Sequence, residues 1–267
     1  MLVTLCASLT FMSSCKKDDP ADSGSEPNTP KCNVTVIDLT AFGEKGQTTF
    51  KYNAAGQITE SHTTGDNSEV SGSYYTYNSA GQVTKIESYA DASKSINNKT
   101  EYTYGPNGVT EEKIFADDNG IPTHSETRKY EYNNGVISKV NNYIVSGGSE
   151  DLYEYELYTY TISGDVSLIV SYQDDGNGNW TAYYRDSYTY STQVANKALL
   201  GFFEENPNFP ANHYYTNNKS ESYKSVDNAW ESDDDLDYVY VFDAKGNPTT
   251  ITIGGGLAVA LLTWDCK

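Results

Sequence analysis

Hydrophobic and polar residues alternate along most of the chain, and a polar turn interrupts the alternation at regular intervals. In YTYNSAGQVTKIESY, residues 75–89, two aromatic residues two apart precede the turn and an aliphatic residue follows it. A period of two is the pattern of a β-strand with two different faces. Asn in the first turn position and Gly in the fourth suit a type I turn that ends in a left-handed Gly. Each unit therefore predicts a β-hairpin.

The hairpin unit recurs at intervals of 25 to 30 residues. Its second aromatic residue lies at Tyr52, Tyr77, Tyr104, Tyr132, Tyr160, Tyr190 and, about two periods later, Phe242. The turn recurs in close, looser or shortened form at residues 53–56, 105–108, 134–135, 161–164 and 243–246. A fixed period of this length determines the architecture of a chain.

Polar segments between the hairpins are expected to form longer loops at the other end of the strands. They lie at residues 63–67, 91–98, 117–122, 146–150 and 174–179. Short turns at one end and long loops at the other are typical of an up-and-down meander. The sequence therefore predicts an all-β, antiparallel meander of about 14 to 16 strands that closes, or nearly closes, into a barrel.

Two segments depart from the repeat. Residues 194–205, VANKALLGFFEE, place apolar residues at helical spacing, and Pro207 and Pro210 follow. This pattern predicts one short helix, which we expect to cap or plug one end of the sheet. Residues 254–264, GGGLAVALLTW, predict a flexible start followed by one strongly buried strand.

Composition narrows the classes of protein to consider. The 267 residues contain no Pro/Ser-rich linker within the repeats, so residues 32–267 are expected to form a single domain. The formal net charge is −19, and no basic stripe of the kind that nucleic-acid binding requires is present. The three His residues lie in unrelated contexts, and no metal or cofactor is expected.

The first residues resemble the signal of a bacterial lipoprotein. An apolar run, too short to span a bilayer as a helix, ends at Ser13-Ser14-Cys15. Residues 1–14 are therefore expected to be a signal peptide, and Cys15 the lipidated residue. The KKDD that follows is similar to the start of many Bacteroidetes lipoproteins, which implies export to the cell surface. Residues 15–31 predict a flexible tether. The alternative is an ordinary secreted protein in which Cys15 is incidental.

The remaining cysteines predict a covalent link between the ends of the domain. Cys6 leaves with the signal peptide and Cys15 is used by lipid, so Cys32 and Cys266 remain as a pair in an oxidising compartment. A disulfide between them requires the first and last strands to lie side by side, which a closed barrel provides. The alternative is two unpaired buried thiols.

The Y-x-Y-[ND]-x-x-G-x-[VI]-T units and the insertion LLGFF followed by NPNFP resemble Bacteroides lipoproteins of unknown function with a porin-like β domain. A shorter resemblance is to the YD repeats of Rhs-type proteins. The family implies the fold and brings no catalytic residues with it. A pore is not expected, because charges such as Glu111 and Glu112 occupy both faces of one strand.

Several local patterns leave alternatives open. The Asp174–Asn179 loop spaces oxygen ligands as calcium loops do, but it lacks the closing bidentate acid, and we favour a plain hairpin tip, which explains the same residues. The Tyr pairs are interpreted as core, with an exposed platform for sugar rings as the alternative.

We expect no catalytic site, and a lipid-anchored outer-membrane module that faces the cell exterior and binds a glycan, a peptide or a partner protein. The competing hypothesis is a secreted carbohydrate-active hydrolase with an unrecognised carboxylate site.

Overall fold

The computed structural model describes residues 32–66, 69–196, 199, 210–224 and 227–266. In this part of the chain the strands are β1 (Cys32–Ala41), β2 (Glu44–Tyr52), β3 (Ile58–Gly65), β4 (Val70–Tyr77), β5 (Val83–Tyr89), β6 (Asn98–Gly105), β7 (Gly108–Asp118), β8 (Ile121–Asn133), β9 (Val136–Ser146), β10 (Ser149–Tyr160), β11 (Val166–Asp174), β12 (Trp180–Val194), β13 (His213–Lys224), β14 (Ala229–Phe242), β15 (Pro248–Ile253) and β16 (Ala258–Cys266). Each strand pairs antiparallel with its neighbours in sequence, and β1 pairs with β16 to close the barrel. The predicted closed meander is confirmed.

The barrel has two different ends. The repeat-turn end carries the turns of the hairpin units, such as residues 53–57 and 78–82, together with the start of β1 and the end of β16. The opposite end carries the connections between units, such as residues 90–97 and 175–179. Most of the aromatic pairs lie near the repeat-turn end, because they directly precede its turns.

The repeat turn has the predicted conformation. Asn78 Oδ1 accepts hydrogen bonds from the backbone N–H groups of Ala80 and Gln82, each at 3.0 Å. The N–H of Gly81 donates to the Asn78 carbonyl at 3.0 Å, and Gly81 has φ 80°. Gly56 and Gly246 have φ 79° and 83°. The prediction of positive φ at all three glycines is confirmed.

Replacing Gly81 with Val should lower the free energy of unfolding by about 1 to 2 kcal/mol, because a β-branched residue is disfavoured at positive φ. Gly46 offers a control, since it lacks positive φ and an added Cβ would meet only the Thr64 carbonyl oxygen, at 3.7 Å. Gly46→Val should leave stability nearly unchanged in the same urea titration. Equal melting of the Gly81→Val variant and the wild type would contradict the conformational argument.

A β-bulge follows almost every repeat turn and explains the Thr of the motif. Tyr77 pairs with Val83 and Thr76 with Lys85, so Thr84 is the extra residue. Its Oγ1 donates to the Thr76 carbonyl at 3.3 Å. Equivalent hydroxyl-to-carbonyl bonds are made by Thr59, Thr110, Ser138, Ser167 and Thr249. The bulge keeps Val83 on the inner face with the aromatic pair and turns Lys85 to the outer face, whereas unbroken alternation would put both on the same face.

The aromatic pairs line the inside of the barrel. Tyr52, Tyr75, Tyr158 and Tyr160 pack against a buried cluster that includes Phe50. In four units the second aromatic residue also links neighbouring hairpins, because its hydroxyl donates to a carbonyl of the preceding strand. These bonds are Tyr52 to Val34, Tyr77 to Ile58, Tyr104 to Val83 and Tyr132 to Val109. Trp264 Nε1 makes a similar bond to the Pro248 carbonyl. The geometry supports the core interpretation of the Tyr pairs over an exposed sugar platform.

The described residues of the connection between β12 and β13 include three that are buried in the core. Val194 still belongs to β12, and the predicted helix over 194–205 lies outside the described residues except at Leu199, which is helical and fully buried. Ala195 and Ala211 are buried in the same core cluster. These three residues support the expectation of a plug.

Asp165 forms hydrogen bonds with Asn212 and His213, at the end of the connection between β12 and β13. Its Oδ1 accepts hydrogen bonds from the backbone N–H groups of Asn212 and His213, and its Oδ2 lies 2.8 Å from His213 Nδ1. Ser163 Oγ donates to Oδ2 at 2.7 Å. Asp165 is 0% exposed, so the turn before β11 and the start of β13 are joined through a buried carboxylate.

Two sequence expectations for the opposite end are wrong. Residues 117–122 and 146–150 do not form longer loops, because two-residue turns at Asn119-Gly120 and Gly147-Gly148 connect their strands. All four turn residues have positive φ, which suits the twist of a tight hairpin.

The final strand is also less buried than expected. Residues 254–256 form a 3-10 turn, and the side chains of β16 alternate in exposure. Ala260 is buried, whereas Leu261, on the outer face, is 51% exposed.

Candidate functional site

The inner face of the barrel becomes polar beyond the aromatic core. The residues that turn inward there are charged or amide-bearing, and we call them the lumenal cluster: Glu112, Glu126, Arg128, Asn142, Glu154, Glu156 and Asp186. Their position follows from strand pairing, since Glu112 lies opposite Tyr102 and Arg128 lies opposite both Glu112 and Asn142. Glu112 and Asn142 are 7% and 2% exposed, so the cluster is partly buried.

Asn142 joins two carboxylates of β10. Its Nδ2 donates to Glu154 Oε1 at 2.7 Å and to Glu156 Oε1 at 3.2 Å. The two carboxylate oxygens therefore lie within about 6 Å of each other. Tyr158 donates to the other oxygen of Glu156 at 2.6 Å. Burial raises the pKa of Glu156 above its ordinary value, and the hydrogen bonds from Tyr158 and Asn142 offset this only in part.

Arg128 organises the carboxylates on the β7–β8 side of the cluster. Its Nε donates to Glu126 Oε1 at 2.8 Å. Glu112 accepts a hydrogen bond from Tyr130 at 2.7 Å. On the far side, Ser220 Oγ donates to Asp186 Oδ1 at 2.5 Å, and burial raises the pKa of Asp186.

Two bulges bring additional Tyr rings to the cluster. Pairing skips Tyr153 between Leu152 and Glu154, and skips Tyr183 between Ala182 and Tyr184. Tyr183 donates its hydroxyl to Glu154 Oε2. Burial, followed by the nearby charges of Glu126 and Glu154, raises the pKa of Tyr153 to about 12. Bulges commonly redirect a side chain in this way beside functional sites.

Solvent reaches the inner face from the opposite end of the barrel. Ile144 shares the inner face of β9 with Asn142, and it is 53% exposed. Tyr183 is 36% exposed although its hydroxyl bonds a lumenal carboxylate. A separate cleft of about 570 Å³ at this end is lined by residues of β3, β4 and the segment after β5, including Thr63, Ser71 and Asp91. The inner face beside the lumenal cluster is therefore in contact with solvent at Ile144 and Tyr183.

The structure separates the residues that the sequence singled out. Cys15 lies outside the described residues. Cys32 and Cys266 form a disulfide with a Cα–Cα distance of 4.0 Å, at the seam between β1 and β16. The three histidines lie apart, and His62 Nδ1 is 2.8 Å from the Tyr89 hydroxyl. Among the described residues, no group of three or more His, Cys, Asp and Glu is placed to hold a metal ion.

The Asp174–Asn179 loop is a hairpin tip stabilised by its own side chains. Asp174 Oδ1 accepts hydrogen bonds from the N–H groups of Gly176 and Gly178, and Asp175 Oδ1 accepts from those of Asn177 and Asn179. These carboxylate oxygens are directed at the backbone of the loop, which favours the plain-tip interpretation over calcium binding.

Sequence reasoning missed the lumenal cluster. Its members have no motif spacing and come from β7 to β12. One signal was present, because the inward face of the Y-x-Y pairs continues in steps of two to Arg128 and Glu126 in β8, and to Glu156 and Glu154 in β10. Extending the inner face of each pair by four residues would have exposed the pattern.

The outer face of the barrel carries ion pairs distributed around its circumference. They include Lys51–Glu60 at 2.6 Å, Lys85–Glu87 at 2.9 Å, Lys99–Glu101 at 2.8 Å and Arg185–Glu221 at 2.7 Å. In the described part of the chain, no α-helix has the length and apolar character needed to cross a bilayer.

Comparison with known proteins identifies the fold. No protein-family model and no curated protein matches the sequence. A porin-like protein from Bacteroides uniformis is 14% identical, with a TM-score of 0.52 over 90% of this chain and 100% of that chain. A porin-like protein from Bacteroides vulgatus is 12% identical, with a TM-score of 0.57 over 88% of this chain and 99% of that chain. The chain therefore shares its fold with porin-like β-barrel proteins of Bacteroides.

Proposed function

We propose that the protein is a lipid-anchored surface module whose barrel binds a small polar ligand in its lumen without converting it chemically. The lumenal cluster carries this proposal, since a solvent-accessible inner face combines carboxylates, an amide and Tyr hydroxyl groups. Sites for small molecules are typically concave and place a few polar groups among aromatic side chains.

The charged side chains of the outer face support a barrel whose outer surface contacts water and not lipid. Charged side chains such as Lys85 and Glu87 project outward in the middle of their strands. A Lys or Arg facing the middle of a bilayer costs about 2 to 4 kcal/mol, and several such residues surround this barrel. We infer that the similarity to porin-like proteins concerns the fold and does not extend to a lipid-embedded pore.

The anchor is placed at Cys15 because of the lipoprotein-like start and the KKDD that follows it. Residues 15–31 would tether the lipid to β1, which begins at the repeat-turn end. The mouth of the lumen lies at the opposite end, away from the attachment of the tether. Surface display would therefore leave the lumenal cluster open to solutes from outside the cell.

Replacing Cys15 with Ala should release the protein from the outer-membrane fraction into a soluble fraction, because stable anchoring requires acyl chains on this residue. Cell fractionation and immunoblotting measure the shift. Cys6→Ala is the control, since Cys6 lies within the expected signal peptide, and it should leave the protein membrane-bound. A Cys15→Ala variant that stays in the membrane fraction would contradict the proposed anchor.

Ligand binding is tested by screening the soluble domain from residue 32 against oligosaccharides, peptides and small amines by thermal shift. Hits should weaken in the double variant Glu154→Gln/Glu156→Gln. Asp235→Asn/Asp237→Asn is the matched control. Like Glu154 and Glu156, these two carboxylates accept hydrogen bonds from a single amide nitrogen, here Nδ2 of Asn217 at 2.7 and 3.1 Å, but they are exposed. Hits that respond equally to both double variants would contradict a lumenal site.

A second candidate function, carbohydrate hydrolysis, is favoured by one observation. Because both bond the same Asn142 nitrogen, Oε1 of Glu154 and Oε1 of Glu156 are no more than about 6 Å apart, which is compatible with the spacing of about 5 to 5.5 Å found in retaining glycosidases. Burial also raises the pKa of Glu156, as expected of a general acid. Release of reducing sugar from a polysaccharide panel, abolished by Glu156→Gln, would establish this alternative in place of simple binding.

A further inference from the structure

The carboxylates on the two faces of the barrel have different partners. On the outer face, Glu60 pairs with Lys51 and Lys94, at 2.6 and 3.2 Å. Inside, the partners of Glu154 and Glu156 are Asn and Tyr side chains. No ion pair between described residues involves either of these two carboxylates. Both acids therefore accept their hydrogen bonds from neutral donors. Because they are partly buried, their attraction to a positive charge would be stronger than in water.

Among the described residues, the cation of the lumenal cluster is Arg128, and its charge is shared by several acids, Glu156 included. Arg128 directs its Nε to Glu126 and lies opposite Glu112 in the sheet. Two carboxylates thus already share its positive charge. Glu154, Glu156 and Asp186 add three more acidic groups to the same wall, so the lumenal cluster contains five carboxylates and one guanidinium.

A buried acceptor within the cluster is independent evidence for a missing donor. Asn142 is 2% exposed and directs its amide into the cluster, where its nitrogen bonds both Glu154 and Glu156. The oxygen of the same amide is buried, and no described residue donates a hydrogen bond to it. Leaving a buried polar atom unsatisfied is costly, so this oxygen requires a donor that the described residues do not supply.

We propose that Glu154, Glu156 and Asn142 bind the ammonium group of a small organic amine. An ammonium group has three N–H donors and no acceptor, which complements two carboxylates and an amide oxygen. The rings of Tyr153 and Tyr183, which the two bulges bring beside Glu154, provide aromatic surface that attracts a cation. This inference rests on the proposed binding function and specifies its ligand.

Other ligand classes fit the same atoms less well. A neutral sugar presents hydroxyl groups that both donate and accept, and the site between Glu154 and Glu156 offers acceptors in excess. An anion would face net negative charge. A metal ion would need a third carboxylate, His or Cys in place, and no described group of three is so arranged. A hydrogen-bonding cation satisfies both the charge and the donor requirement.

The experiment is isothermal titration of the soluble domain with putrescine, and with the neutral diol of the same chain length, at physiological ionic strength. Putrescine should bind and the diol should not. Binding should weaken about tenfold or more in Glu154→Gln/Glu156→Gln, because both carboxylates that pair with the ammonium group lose their charge. Asp235→Asn/Asp237→Asn removes the same charge from the outer face and should bind putrescine as the wild type does.

Three results would overturn the inference, and they separate it from the proposed function. Equal weakening in both double variants would show general attraction to an acidic protein. Binding of the diol or of a glycan, but not of putrescine, that depends on Glu154 would keep the lumenal site and reject the amine. No binding of any probe would reject both. If the double variant melts before titration, the single variant Glu154→Gln answers the same question.

Discussion

Replacing Cys32 and Cys266 with Ser should lower the free energy of unfolding by about 2 to 5 kcal/mol, the largest effect expected of any paired substitution in this domain. The disulfide joins residues 234 apart, so it restricts almost the whole unfolded domain. The entropy of the unfolded chain rises when this loop is opened, and the long loop places the expectation toward the upper part of the range.

The location of the bond adds to its effect. It lies at the end of the β1–β16 seam, where the first and last strands close the barrel. An open seam would expose the hydrogen-bonding edges of two strands. The other seam contacts persist in the variant, including Val34 paired with Trp264 and Ile37 paired with Leu262. We therefore expect a less stable barrel that still folds.

Urea unfolding of the oxidised wild type and of the double Ser variant measures the difference. Addition of a reductant should bring the wild type to the stability of the variant and should leave the variant unchanged. Labelling of the denatured, unreduced wild type should detect no reactive thiol at Cys32 or Cys266. Two reactive thiols, or stabilities within about 1 kcal/mol, would contradict the predicted role of the bond.

Replacing Asp165 with Ala should lower the free energy of unfolding by about 3 to 5 kcal/mol, the usual cost of removing one partner of a buried, hydrogen-bonded charge. The substitution leaves the backbone N–H groups of Asn212 and His213 and the hydroxyl of Ser163 without their acceptor. Asp165→Asn keeps an oxygen for the backbone donors but loses the charge opposite His213, so it should cost less.

The same residue should contribute to acid sensitivity. Burial tends to raise the pKa of Asp165, but hydrogen bonds from Ser163, Asn212 and His213 outweigh it and the net shift is downward. Because the pKa is lower in the folded state, the contribution of this carboxylate is present above about pH 4 and is lost as the pH falls through the lowered value. The Asn variant should lose less stability between neutral pH and strong acid. A variant with the acid profile of the wild type would count against this linkage.

Local sequence determined the hairpin. In the unit around Tyr77, each residue type acts within a few positions, since Asn78 caps the turn, Gly81 takes positive φ, and Thr84 forms the bulge. Repetition of this unit fixed the strand direction and the number of strands within narrow limits. The position of Cys32 and Cys266 at opposite ends of the repeats then predicted closure. These inferences succeeded because turn geometry and side-chain alternation depend on near neighbours.

The tertiary structure decided where chemistry can occur. Alternation alone cannot tell which face of a strand is inside once a bulge shifts it, and the bulges at Tyr153 and Tyr183 have no motif of their own. Asn142 meets Glu154 and Glu156 only after β9 and β10 pair in one register, and Asp165 meets His213 across 48 residues. Burial of a carboxylate depends on all the surrounding strands together. The sequence by itself therefore determined the hairpins and the closure, whereas only packing of the closed barrel determined the lumenal cluster.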